Sequence, residues 1–138
     1  MKVYVDTNVL IDFVCQRAGF ADAANRLMAL GVMGKIELQA SALSYVTAVY
    51  VAKKYDYPRV CEALVSLSHF VAIQDLKAQT VVEMLTSGWK DYEDATQNHT
   101  ALLADAACIV TRNKKDFAHS SLPIYSPEEL LDIFTISK

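Results

Sequence analysis

The chain has 138 residues, 53% of them hydrophobic, and carries 13 basic against 16 acidic side chains for a formal net charge of −3. That length supports one domain with a real core, and four Gly and three Pro exclude a long flexible linker. An acidic balance, with a pI near 5.5, excludes a globally basic nucleic-acid face, so any polyanion contact has to be local; Lys53–Lys54 and Arg112–Lys114–Lys115 are the candidates.

Residues 2–5 read as a short buried strand with Asp6 at its C-terminal end. Residues 7–15 continue as a helix, with Thr7 as its cap and Val9, Leu10, Phe13 and Val14 on one face. A second helix spans 20–33 and is broken by Gly31 and Gly34, and a second strand spans 35–40. Ser41 caps a helix to about residue 54, which Asp56-Tyr57-Pro58 ends. Then come a helix at 59–68, a strand at 70–73, helices at 76–86 and 90–103 separated by Gly88, and strands at 107–111 and 122–125. Ser126-Pro127-Glu128-Glu129 opens the last helix. Short apolar strands alternating with helices predict one α/β domain over 1–138, its mostly parallel five-stranded sheet covered on both faces. Sheets of this kind bind ligands at the carboxyl ends of their strands, where Asp6 and the segment after Thr111 emerge.

No CxxC or Cys/His ligand spacing exists, which excludes a structural zinc site; Cys15, Cys61 and Cys108 read as small core residues in a reducing compartment. A charge at Asp6 interrupts any signal-peptide apolar region, and no apolar run approaches ~20 residues. The expectation is a cytoplasmic protein with no membrane contact.

Three segments carry chemistry. An acid at a strand end needs a partner, and the residues leave two readings of Asp6 open: ligand of a hard cation, or cap of the following helix. In Asp91-Tyr92-Glu93-Asp94-Ala95, the helix dipole accounts for Asp91 and Glu93, whereas Asp94 starts a small-and-polar stripe with Asn98 and Ala101. The segment from Ile109 to Phe117 leaves a strand into a polar loop, where Asp116 can complete a metal site supported by Thr111 and Asn113. Arg112 and Lys114 beside it suit a phosphate backbone. Carboxylates converging from two strand ends and a helix fit metal-assisted phosphoryl hydrolysis. Asp12, Asp22, Glu37, Glu62, Asp75 and Glu83 read as surface or structural, and His69, His99 and His119 lack partners at recognisable spacing.

Asp6 to Asp12 (DTNVLID), Asp91 to Ala95 (DYEDA), Ile109 to Phe117 (IVTRNKKDF) and Ser126 to Leu131 (SPEELL), in that order, resemble a PIN-domain protein of the small bacterial kind that includes VapC-type toxins. The resemblance spans the chain and implies a Rossmann-like α/β/α sandwich and a Mg²⁺- or Mn²⁺-dependent endoribonuclease. It further implies a homodimer and, for a toxin, a cognate antitoxin as partner beside the RNA substrate. It assigns the family's acids to Asp6, Asp94 and Asp116, with Asn113 beside the last and Asn8 and Thr111 in support. One position departs: Thr47 stands where the family places a Glu, which removes one charge and one ligand.

Two other chemistries share the strand-then-Asp start. A haloacid-dehalogenase-like phosphatase needs Asp-x-Asp, but Asn8 holds the second position; a receiver domain needs an acid adjacent to the first, which Asp6 lacks. The alternative from a different class is a PIN-like domain, catalytically weakened by Thr47, that binds RNA or protein.

Overall fold

Residues 1–136 are described by the computed structural model. Lys2–Val5 (β1) buries three consecutive side chains, as a strand covered on both faces must. Val3 and Val5 face one layer and Tyr4 the other, following the two-residue period of a strand. β1 pairs in parallel with β2 (Glu37–Ser41) on one side and with β4 (Cys108–Val110) on the other. β3 (Val71–Gln74) and β5 (Ile124–Tyr125) form the edges of an all-parallel sheet ordered β3-β2-β1-β4-β5.

Helices α1 (Thr7–Cys15), α2 (Ala21–Val32), α3 (Ala42–Ala52), α4 (Tyr57–Leu67) and α7 (Pro127–Ile136) cover the Val3/Val5 face; their buried side chains, with Leu38 and Val71 of the sheet, make the larger core. On the other face, α6 (Tyr92–Leu103) and a 3₁₀ turn (Lys114–Phe117) pack Ala101 and Phe117 against Tyr4 and Ile109, with α5 (Ala78–Met84) beside α6. The predicted three-layer α/β/α sandwich is therefore observed. From β1 the chain builds outward to β3, then returns to β4 on the opposite side of β1. The reversal opens a crevice between the C-terminal ends of β1 and β4, where such sheets bind ligands.

Several boundaries differ from the sequence reading for local reasons. Asp6, not Thr7, caps α1, its carboxylate accepting from the Thr7 N–H. Asp56-Tyr57-Pro58 starts a helix instead of merely ending one: the Asp56 carboxylate accepts the Arg59 N–H, and Pro58 occupies the first turn, where its missing N–H is harmless. α2 continues through Gly31, which lies close against β2: an added Cβ would meet the Leu38 side chain, with Leu38 Cγ at 3.0 Å. Ser126 and Glu129 form a reciprocal capping box at the start of α7. Of the three cysteines only Cys108 is a fully buried core residue; Cys15 and Cys61 are partly exposed. Among the described residues no helix is long and apolar enough to cross a membrane.

Candidate metal centre

Asp6 sits at the crevice, its N–H donating to Val110 O of β4 at 2.9 Å. Its side chain is only 6% exposed. Oδ1 accepts from the Thr7 N–H and Oδ2 from the Thr111 hydroxyl, both at 2.8 Å. The cap and ligand readings of Asp6 thus do not compete, since a single hydrogen bond to one oxygen serves the helix. Burial pushes the Asp6 carboxyl up to about 6; the charges of Glu93 and Asp116 add to the rise, and the Thr111 and Thr7 hydrogen bonds oppose it.

Asp94 lies in the first turn of α6, where Asp91 caps the helix by accepting the Asp94 N–H at 2.9 Å. Burial raises the Asp94 carboxyl to about 7, with further contributions from Asp91, Asp6, Asp116 and Glu93 in that order. Asp116 projects from the 3₁₀ turn just after β4. The structure therefore brings Asp6, Asp94 and Asp116 into one electrostatic neighbourhood. It adds Glu93, which is exposed yet weighs more on Asp6 than Asp116 does. Helix-dipole reasoning accounts for Glu93 without a site. Among the described residues, no ion pair involves any of these acids. Nor do three acid, His or Cys side chains there stand close enough to enclose an ion unaided.

The supporting residues divide. Thr111 is fully buried and central: besides donating to Asp6, its hydroxyl accepts from Asn8 Nδ2 at 3.4 Å and from the Asn113 N–H at 3.1 Å. Asn8 also accepts the Arg112 N–H at 3.4 Å, so it ties α1 to the loop after β4. Asn113 contributes through its backbone, and its side chain is exposed. Thr47 is half-buried on α3, three residues beyond Ser44 and so on the same helix face. Ser44 belongs to a buried network directly behind Asp6 that sequence reasoning missed. Gln97 of α6 accepts from Tyr4 Oη at 2.5 Å, and its amide donates to Thr7 Oγ1 at 3.2 Å and Ser44 Oγ at 3.1 Å. Thr7 and Ser44 share a further hydrogen bond of 2.7 Å. One neutral side chain thereby joins β1, α1, α3 and α6. Its only sequence signal is a glutamine three residues after Asp94, on the same face of α6.

The cations are placed differently from the simplest reading of the sequence. Arg112 makes a bidentate pair with buried Asp12, at 2.6 and 3.2 Å, and stacks over Phe20 at 3.9 Å. Arg17 approaches the same carboxylate at 3.5 Å. Lys114 pairs with Glu129 of the capping box at 2.9 Å. Lys115 and Lys90, in contrast, are exposed and take part in no ion pair among the described residues. Both line a cleft of about 450 Å³ together with Asp91, Asp94, Asp116, Trp89 and His119.

Comparison with known proteins agrees with this architecture. A PIN-domain family profile matches residues 2–115, ending one residue short of Asp116. Among solved structures, VapBC2 from Rickettsia felis, bound to a DNA fragment from its promoter, aligns with TM-score 0.69 at 18% identity over 91% of this chain and 98% of its own. A toxin–antitoxin complex from Klebsiella pneumoniae aligns with TM-score 0.65 at 25% identity over 91% and 97%. Mycobacterium tuberculosis VapC20, a sarcin–ricin-loop-cleaving toxin, aligns with TM-score 0.62 at 15% identity over 78% and 86%. No curated protein matches by sequence. With the family profile spanning most of the chain and the sheet order and crevice in agreement, the chain belongs to the PIN-domain family.

Proposed function

We propose that this PIN domain is a divalent-metal-dependent endoribonuclease working at the crevice around Asp6. The observation that carries the reading is the buried Asp6 carboxylate, held by Thr111 and Thr7 within the field of Asp94, Glu93 and Asp116 and paired with no described cation. Burial and mutual repulsion raise the Asp6 and Asp94 carboxyls to about 6 and about 7, and a bound cation would favour their ionised forms. All the donors are oxygens. Such a set fits Mg²⁺ or Mn²⁺, hard ions that keep several waters and need only a few carboxylates.

Asp6, Asp94 and Asp116, one or two directly and the rest through bound water, would hold the ion, which when bound supplies a water of lowered pKa and a counter-charge for the phosphate. The protein's own part is orientation. Thr111 fixes one Asp6 oxygen and the Thr7 N–H the other, so the carboxylate cannot swing away. Asn8 and the Asn113 N–H in turn fix Thr111. Gln97 clamps α6, and with it Asp94, to the strand that bears Asp6. Glu93 adds a further negative charge in the field of Asp6.

RNA as substrate is supported by family membership and by the sarcin–ricin-loop-cleaving VapC20. By the same reasoning a small antitoxin protein is the expected partner, since the Rickettsia and Klebsiella relatives were solved with theirs. We extend the family's homodimer to this chain and place it in the cytoplasm; light scattering tests the dimer, and copurification with the product of an adjacent small gene tests the antitoxin. Thr47 is the observation that favours a second reading, a PIN domain that binds RNA without cutting it. Incubating total RNA with wild type and Asp6→Asn, with and without Mg²⁺ or Mn²⁺, separates the two. Cleavage only by wild type with metal is expected. Binding without cleavage, or equal cleavage by Asp6→Asn, overturns the nuclease reading.

A further inference from the structure

Beside the carboxylates, the 450 Å³ cleft has a composition of its own. Gly88, at φ +80, turns the chain between α5 and α6 and sets the only tryptophan at the cleft wall. Trp89 is half-buried, anchored edge-on against buried Phe117 at 6.0 Å between ring centroids. His119 meets it at 6.4 Å with the rings inclined by 66°. Exposed Lys90 and Lys115 line the cleft together with three acids, Asp91, Asp94 and Asp116. The volume lies within the roughly 300–1,000 Å³ of small-molecule sites. Half-buried Trp89 with exposed His119 offers a planar group an aromatic surface, and Lys90 and Lys115 offer an anionic group the cationic partners that the three acids of the lining do not.

We propose that the Trp89–His119 cleft is a nucleotide subsite that takes one unstacked base of single-stranded RNA against the aromatic wall and grips its phosphate with Lys90 and Lys115. This rests on the nuclease reading for the identity of the polymer, and assigns it a strandedness and a place. Aromatic side chains stack any base through its π-face, which requires a single-stranded region, whereas a paired A-form helix hides its bases. The cleft shares Asp94 and Asp116 with the candidate metal centre, so a base held there sits beside the reacting phosphate. Arg112 is held in a bidentate pair with buried Asp12 and Lys114 in an exposed pair with Glu129, whereas Lys90 and Lys115 take part in no ion pair among the described residues and line the cleft.

The test uses fluorescein-labelled mixed-sequence RNA hexamers, single-stranded or annealed to their complements, in metal-free buffer so that binding is read without cleavage. Saturable anisotropy and quenching of the single Trp are expected with the single strand, with binding to the duplex weaker by about tenfold. Trp89→Leu should weaken single-strand binding by about tenfold and Trp89→Phe should restore most of it, because the ring and not the indole is required. Lys115→Ala should lower the slope of log affinity against log salt by about 0.7. If Trp89→Leu disturbs folding as seen by circular dichroism, His119→Ala carries the test, with a loss of severalfold expected. Equal binding of duplex and single strand, unaltered affinity in a folded Trp89→Leu or His119→Ala, or no binding by wild type overturns the subsite. Cleavage by Trp89→Leu with wild-type KM would also sink it while leaving the nuclease reading intact. Aromatic-dependent binding with no metal-dependent cleavage would sink the nuclease reading and leave the subsite.

Discussion

Replacing Asp6 with asparagine should stabilise the protein while removing its proposed activity. The folded state raises the Asp6 carboxyl from an ordinary value of 3.8 to about 6, so between these values the folded chain holds a proton that the unfolded chain has lost. Stability on this account is complete below pH 3.8 and is lost as pH rises through 6. At 1.36 kcal/mol per pH unit, the interval corresponds to about 3 kcal/mol. The amide introduced by Asp6→Asn carries no charge and escapes that loss. It keeps an oxygen for the Thr7 N–H but meets the Thr111 hydroxyl with the wrong group, at a cost of about 1 kcal/mol. The net expectation at pH 8 without metal is a gain of about 2 kcal/mol, or roughly 1 M in urea midpoint. Near pH 4 the gain should vanish and turn into a small loss. Urea unfolding in EDTA at pH 4, 6 and 8 measures this. A variant less stable than wild type at pH 8, or a difference that does not change with pH, refutes the reasoning that burial and like charge strain Asp6.

Arg112→Ala should cost about 2–4 kcal/mol, read by urea unfolding, because it leaves Asp12, with a side chain only 2% exposed, facing Arg17 alone at 3.5 Å. The double variant Arg112→Met with Asp12→Leu should recover most of that loss. Gln97→Leu should cost about 2–3 kcal/mol in the same assay by orphaning Tyr4 Oη, and should weaken Mn²⁺ binding at pH 8, since Asp94 loses its tie to β1. Thr47→Glu should tighten Mn²⁺ binding by severalfold in calorimetry, with added charge on the α3 face that bears Ser44; no change would place Thr47 outside the site.

How far the sequence carries depends on the range of the interaction. The strands, the caps at Ser41 and Ser126, and the crevice at Asp6 are local or topological, and hydrophobic periodicity with chain-end chemistry locates them. Asp56-Tyr57-Pro58 shows the limit, since a Pro ends one helix and opens the next with the same chemistry. The candidate site acids are readable because each follows a strand or opens a helix. Their dependants are not. Gln97 matters through contacts with residues 53 to 93 positions away in sequence, and nothing at its own position marks them. Arg112 and Lys114 look available in the sequence because neighbouring residues give no hint of Asp12 and Glu129 folding back onto them. The Trp89 wall depends on the 3₁₀ turn that brings Phe117 beside it, a contact across two loops.

Calorimetric titration of Mn²⁺ into wild type and Asp94→Asn at pH 8, where Asp6 and Asp94 are both above their raised values of about 6 and 7, addresses the metal centre directly. The expected result is one saturable event in wild type, lost or greatly weakened in Asp94→Asn, with wild-type affinity falling by at least about tenfold at pH 6 as protons compete for the same oxygens. Absence of heat in wild type, or an unchanged isotherm in the variant, would contradict a divalent-metal site at Asp6 and Asp94.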